Sequence, residues 1–269
     1  VSMTAQEHLK ESDPAAALTA LQDEVRKDPS NAKLRIFLFQ LLCVLGDWKR
    51  AVTQLKLSAD MDSAATTMAQ AYREAIICEV YRDKVFKGEK DPLIFGEPQE
   101  WLALLIQAQK AQATGNIQQA ADIRARAFDA APAVSGEING TRFDWIADAD
   151  SRLGPVLEVI VNGRYFWMPF AQIETLELEE PADLRDSVWM AGTLTPKEGG
   201  ALAVLVPARY PGSAEAGGKA ALGRETNWTD LGADTFSGLG QRVLATNVED
   251  VALMDLRLLK MDGSTSGDG

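Results

Sequence analysis

The sequence predicts an α+β protein, with a helical-repeat half followed by a β-rich half. Three observations carry this expectation. Ala17, Leu21 and Pro29 recur 34 residues later as Ala51, Leu55 and Ser63. Beyond Pro132 the apolar spacing leaves the helical period and turns to alternation. Two β-rich runs, 156–161 and 164–168, flank Asn162-Gly163, a pair that readily accepts the positive φ of a tight hairpin turn.

A period of 34 residues is that of the tetratricopeptide repeat, a helix–turn–helix unit. In the second copy Leu38 and Leu42 fall on the first helix, Gly46-Asp47 at the turn, and Ala51 and Leu55 on the second helix. Small residues at Ala17 and Ala51 let paired helices approach closely. Asp28-Pro29-Ser30-Asn31 separates the copies, because proline cannot continue a helix and Ser30 or Asn31 can cap the next. A third match starts near Trp101, turns at Gly115-Asn116 and continues through Ala120, Ala127 and Pro132, one residue out of strict register. Between them, 64–87 reads as one long helix with Met68, Tyr72, Ala75, Ile76 and Val80 at helical spacing, and 87–98 as a loop. The alternative is a generic bundle with a coincidental repeat. In tetratricopeptide geometry, Lys33, Ile36, Phe37 and Gln40 line the face that stacked helix pairs offer to a peptide or helix, although Phe37 has a core reading as well.

In the second half, Ile173–Leu178 alternates as a half-buried strand, and 188–194 and 201–206 are further strands. Strands so short and closely spaced predict a small, strongly bent sheet or barrel. Residues 211–224 read as a surface excursion or short helix, 226–240 as loop-rich, and 251–259 as a closing strand. The expected division is a helical domain over 3–135, a β-rich domain over 136–261 and a frayed tail over 262–269. Val1 and Ser2, ahead of Met3, read as a cloning remnant.

Hydrophobic residues make up 46% and charged residues 25%, an ordinary soluble composition. The net charge is −12. Residues 1–135 hold 16 Lys and Arg against 18 Asp and Glu, and the remainder 11 against 21. So acidic a second half repels phosphate backbones and anionic membranes, so neither nucleic acid nor a membrane is expected as partner. No apolar run approaches the roughly 20 residues of a membrane helix, and no cationic-then-apolar leader is visible, so the expected location is the cytoplasm. Cys43 and Cys78 sit in helical apolar patterns and read as buried thiols, with a single disulfide as the alternative.

Candidate chemistry is sparse. His8 is the lone histidine and lies near a terminus, which argues against nucleophile–histidine catalysis and the usual zinc sites. Asp144, Asp148 and Asp150 lack the spacing and glycine of a calcium loop and read as a solvated capping cluster. No Gly-Lys-Ser/Thr follows any glycine pair, so there is no phosphate loop. No metal or cofactor is expected. A more suggestive group is aromatic and cationic. Tyr165 and Trp167 share one strand face and Phe166 takes the other, while Trp189, Tyr210 and Trp228 recur near Arg185, Arg209 and Arg224. Such pairs suit a partner-binding hot spot and equally finish a small β core. For Arg152, Arg185, Arg209 and Arg242 the competing expectation is buried ion pairing.

Several stretches of the second half resemble the ImpE/TagJ family. They are Asp148-Ala-Asp-Ser-Arg-Leu-Gly-Pro155, Asn162-Gly-Arg-Tyr-Phe-Trp-Met-Pro-Phe170 and Pro181-Ala-Asp-Leu-Arg-Asp-Ser-Val-Trp189. Val206-Pro-Ala-Arg-Tyr-Pro211, Thr226-Asn-Trp228 and Gly238-Leu-Gly-Gln-Arg242 follow in the same order. The resemblance implies an accessory role in type VI secretion, a contractile injection machine of Gram-negative bacteria. It further implies association with the small subunit of the contractile sheath, a link to the AAA+ ATPase that dismantles contracted sheath, and no enzymatic activity. A non-enzymatic adaptor would capture a helical segment of the sheath subunit in a groove. Its partner-binding candidates are Lys33, Ile36, Phe37, Gln40, Arg152, Tyr165, Trp167, Arg185, Trp189, Arg209, Tyr210, Trp228 and Arg242. The rival readings are a carboxylate-dependent hydrolase using Asp148 with Asp150 or Asp186, and a permanent structural subunit of the machine.

Overall fold

The computed structural model describes residues 2–263, so 264–269 of the expected tail lie outside the described residues. The first half is helical. α1 (Ala5–Lys10) pairs with α2 (Pro14–Lys27), α3 (Ala32–Val44) with α4 (Trp48–Met61), and α6 (Glu100–Ala113) with α7 (Ile117–Ala130). Between the last two pairs runs the single long helix α5 (Thr66–Phe86).

The three pairs turn in one way. The amides of Gly46 and Asp47 reach back to the Cys43 and Leu42 carbonyls at 3.1 and 2.9 Å, and those of Gly115 and Asn116 to Gln112 and Ala111 at 3.1 and 2.9 Å. Ser12 and Asp13 repeat the pattern on Leu9 and His8 at 3.0 and 2.9 Å. The pivot is left-handed each time, with φ 72° at Gly46, 84° at Gly115 and 60° at Ser12. Asp13 and Asp47 then cap α2 and α4 through their side chains, accepting from the Ala16 and Arg50 amides. Ser12-Asp13 lies 34 residues before Gly46-Asp47, so the repeat includes a turn that lacks glycine. Ala17, Leu21, Ala51 and Leu55 are all buried at the helix contacts.

The second half is built on an open sheet of nine strands, ordered β1-β6-β5-β9-β8-β7-β14-β2-β3. In chain order these are β1 (Leu93–Ile94), β2 (Gly136–Ile138), β3 (Thr141–Phe143), β5 (Val156–Val161), β6 (Arg164–Pro169), β7 (Ile173–Leu178), β8 (Trp189–Pro196), β9 (Leu202–Pro207) and β14 (Leu258–Met261). All neighbours run antiparallel except β1, contributed by the loop after α5, which lies parallel to β6. A three-stranded sheet joins β4 (Ile146–Asp148), β12 (Val243–Thr246) and β13 (Asp250–Ala252), and β10 (Thr226–Asp230) pairs with β11 (Phe236–Gly240).

Every residue of β5 is buried. Val156 and Ile160 belong to a core shared with the helices, together with Leu42, Tyr72, Ile76, Trp167 and Trp189. Leu157, Val159 and Val161 join a second core with Met168, Leu176, Leu244 and Leu259. A strand covered on both faces reads as a continuous apolar run, which is what Val-Leu-Glu-Val-Ile-Val is, apart from one glutamate.

Several expectations are corrected. The sheet is larger than foreseen and does not close into a barrel, since its end strands β1 and β3 do not pair with each other. The 87–98 loop contains β1. Residues 226–240 form the β10–β11 hairpin, and 251–259 is broken by a 3₁₀ turn at Leu253–Asp255 before β14. The 211–224 segment carries two short helices, α8 (Ser213–Ala216) and α9 (Gly218–Ala221), with Ala220, Ala221 and Leu222 buried. Asp262, assigned to the tail, is held by Arg142 at 2.6 Å. The expectation of buried thiols holds, with Cys43 and Cys78 both free and buried. Among the described residues, no helix is long and apolar enough to cross a membrane.

Candidate partner-docking cleft

α3 begins where Asn31 caps it, its side chain accepting from the Lys33 and Leu34 amides. From there Lys33, Ile36, Phe37 and Gln40 follow at intervals that place them on one face. Leu38, Phe39, Leu41 and Leu42 point into the core. The structure brings the four together in an open cleft of about 460 Å³. Leu9 and Lys10 of α1 form one wall, and Asp183, Leu184 and Arg224 of the β-rich half form the other. Ile36, Phe37 and Leu184 are half-buried and give the cleft an apolar floor, while Lys10, Lys33 and Arg224 are exposed at its rim.

The walls are fixed by bonds between the two halves. Gln40 is buried and its Oε1 accepts from the Arg185 amide at 3.1 Å. Arg224 donates to the Leu9 carbonyl and to Ser12 Oγ. Arg185 lies 4.7 Å over the Tyr72 ring and 3.1 Å from Asp183. Three cations around an apolar floor, against the one carboxylate of Asp183 that Arg185 already pairs, make this cleft complementary to an acidic amphipathic segment.

The remaining candidates gather elsewhere, most of them in a buried polar network under α5. Glu158 on β5 is fully buried and receives Arg82 of α5, Arg242, and the Tyr165 hydroxyl at 2.9 Å. Trp167 donates to Tyr165 at 2.8 Å, extending the chain of bonds. Arg242 also holds Asp148, which accepts from the Tyr210 hydroxyl at 2.8 Å. Trp189 is buried against Trp48 and Tyr72 at 6.0 and 5.7 Å and donates to Glu79. Arg209 pairs with no carboxylate among the described residues; it holds the carbonyls of Cys43, Val44 and Ala221, satisfying the C-terminal end of α3. Arg152 grips Asp150 at 2.7 Å and stacks 4.8 Å over Phe86. Trp228 alone of the aromatic candidates is exposed, at 43%, beside Tyr210.

Tyr165, Trp167, Trp189, Arg209, Tyr210 and Arg242 therefore present no free surface in this structure. Phe166 is only partly buried, packed edge-on to Phe95 at 5.6 Å, so neither face of β6 is bare. The solvated aspartate cluster is corrected too. Asp148 and Asp150 are buried and engaged by Arg242 and Arg152. Asp186 caps a 3₁₀ turn through the Ala182 and Asp183 amides. Two central residues escaped sequence reading, Glu158 and Arg82. Each carried a signal: a lone charge in an apolar strand, and an arginine in helical register with Ala75, Cys78 and Val85.

Burial alone would raise Glu158, but Arg82 and Arg242 overcome it and hold its carboxyl at about 2. Asp148 goes the other way. Burial pushes it up to about 6 against the pull of Arg242, with the neighbouring Asp150 carboxylate adding to the rise. A carboxyl raised on folding contributes stability that is complete below its unfolded pKa, near 4, and lost as pH rises through about 6. The advantage of the native chain over D148N is therefore expected to shrink by about 2 kcal/mol between pH 4 and pH 7. Urea denaturation of both proteins at the two pH values measures it, and a constant difference would refute the assignment.

Residues 140–260 match the ImpE protein family. The chain is 50% identical over 263 residues to the type VI secretion system accessory component TagJ of Pseudomonas aeruginosa, covering 97% of this chain and 92% of that protein. It is also similar to the crystal structure of protein VPA1032 from Vibrio parahaemolyticus, with a TM-score of 0.88 and 25% identity over 97% of this chain and 98% of the other.

Proposed function

This chain belongs to the ImpE family, and on that footing we propose that it is a type VI secretion accessory component acting as a cytoplasmic adaptor that docks a helical segment of the contractile-sheath small subunit. The docking surface is the cleft over α3. Its partner segment is an amphipathic helix whose apolar side meets Ile36, Phe37 and Leu184 and whose acidic side meets Lys10, Lys33 and Arg224. The adaptor performs no bond chemistry and presents the captured sheath subunit to the AAA+ ATPase that recycles contracted sheath.

One observation supports the reading above others. An apolar floor with a cationic rim stands open in an acidic protein, and its walls come from both halves of the chain. Helix-in-groove recognition draws its affinity from a few buried apolar anchors and its partner choice from rim charges. The K33E/F37E variant is therefore expected to bind purified sheath small subunit roughly 100-fold more weakly by calorimetry. K10E/K33E alters only exposed rim positions, keeps the fold, and is expected to lose roughly tenfold, with a weaker salt dependence. Native affinity in both variants would overturn the proposal.

A further inference from the structure

We infer that the cleft between α7 and the β10–β11 loop is a second recognition site, built to receive the carboxylate of one acidic side chain on a partner polypeptide. The site is independent of whatever the α3 cleft binds. It encloses about 480 Å³ and has Arg124 on one wall, Thr235 and Asp234 opposite, and Phe128 at one end.

Arg124 is only 3% exposed. Its Nη1 reaches Thr235 Oγ1 at 3.4 Å, while Nε and Nη2 have no hydrogen-bond partner among the described residues. Those two N–H groups make up the side-on fork that takes both oxygens of a carboxylate. The same fork is filled twice within this chain. Arg82 turns Nε and Nη2 to Glu158, and Arg152 turns Nε and Nη2 to Asp150 at 2.9 and 2.7 Å. On Arg124 it is unfilled and lies just beneath the cleft surface, shielded from solvent.

The surroundings select the ligand. Asp122 and Asp234 are exposed at the rim, and the buried Asp150 carboxylate acts on Arg124 from beneath. A doubly charged anion such as phosphate would be repelled by all three, whereas one carboxylate matches the single unpaired guanidinium. Around the site, Ile117, Phe128 and Phe236 are exposed at 40, 38 and 42%. Apolar side chains beside a buried cation suit a peptide, whose flanking residues cover them, better than a free small acid. Access runs past Thr235, on a loop where Gly232, Ala233 and Asp234 all hold positive φ, at 88°, 50° and 56°. Non-glycine residues adopt that conformation at a cost, which offsets part of the loss of the Leu231–Thr235, Thr235–Gly232 and Ser151–Phe236 hydrogen bonds when the loop is displaced.

The test titrates the full chain with N-acetylglutamate N-methylamide, following the Arg124 Nε–Hε resonance assigned by its loss in R124M. N-acetylglutamine N-methylamide and inorganic phosphate are the controls, at constant ionic strength. A saturable shift with the glutamate amide, none with the glutamine amide and at least roughly tenfold weaker binding of phosphate are expected. R124M removes an unpaired buried charge, so its Tm is expected to match or exceed that of the native chain by a few degrees. No saturable shift, phosphate binding as tightly as the glutamate amide, or a lower Tm in R124M would each overturn the site; the last would make Arg124 a structural residue.

Discussion

Glu158→Ala is expected to leave the protein unable to fold stably. The substitution removes the shared acceptor of two buried guanidiniums, Arg82 and Arg242, together with the partner of the Tyr165 hydroxyl. Breaking one buried pair by deleting one member typically costs about 3–5 kcal/mol, since the remaining charge is left without compensation. Here two buried cations lose a partner at once, Arg82 keeping only the carboxylate of Glu79 at 3.5 Å and Arg242 only that of Asp148, against a total stability on the order of 5–15 kcal/mol for a folded domain. Glu158→Gln keeps the shape and one acceptor oxygen and should lie between alanine and the native residue. Urea unfolding followed by tryptophan fluorescence measures all three proteins. A loss below about 1 kcal/mol for E158A would show that the network contributes little to holding α5 on the sheet.

Cutting the chain after residue 135 is expected to leave the helical fragment without a native core. The helical fragment would expose the surfaces of Tyr72, Ile76 and Leu42 that now meet Val156, Trp167 and Trp189. Truncating a single buried tryptophan to alanine costs about 3–5 kcal/mol, and this cut strips Trp167 and Trp189 from the helices together. The C-terminal end of α3 would also lose Arg209, which satisfies the carbonyls of Cys43 and Val44. The measurement is near-UV circular dichroism with thermal unfolding of residues 3–135. Broad, non-cooperative melting is expected. A sharp transition with native-like signal would contradict the shared-core account.

The helical half was legible because close helix packing demands small residues at fixed spacing, and Ala17, Ala51 and Ala120 sit buried at those contacts. Its first turn was hidden, since Ser12 stands where the other copies have glycine. The β10–β11 hairpin was missed for a related reason. Thr226–Asp230 is mostly exposed and carries no inward-facing apolar alternation. Asn162-Gly163 gave the β5–β6 hairpin away, whereas the size of the sheet, with β1 drawn from the helical half, depends on tertiary pairing that local pattern does not encode.

Site legibility divides along the same line. A helical face is a local property, so the grouping of Lys33, Ile36, Phe37 and Gln40 could be read from spacing alone. The opposite wall at Asp183, Leu184 and Arg224 could not, because it arrives from far along the chain. The arginine–aromatic group illustrates the limit best. An arginine that pairs inside the molecule and one that does not have identical sequence signatures, and Arg209 and Arg242 prove to be the former while the Arg124 fork has no partner among the described residues.

Photocrosslinking from α3 addresses the central claim most directly. With benzoylphenylalanine in place of Ile36 in the full chain, irradiation of its complex with the sheath small subunit is expected to crosslink one acidic, helical segment of that subunit. Mass spectrometry identifies the segment, and free peptide of the same sequence should compete the crosslink away. A complex that forms with native affinity yet gives no crosslink from position 36, while probes elsewhere on the surface do, would place the docking surface outside this cleft.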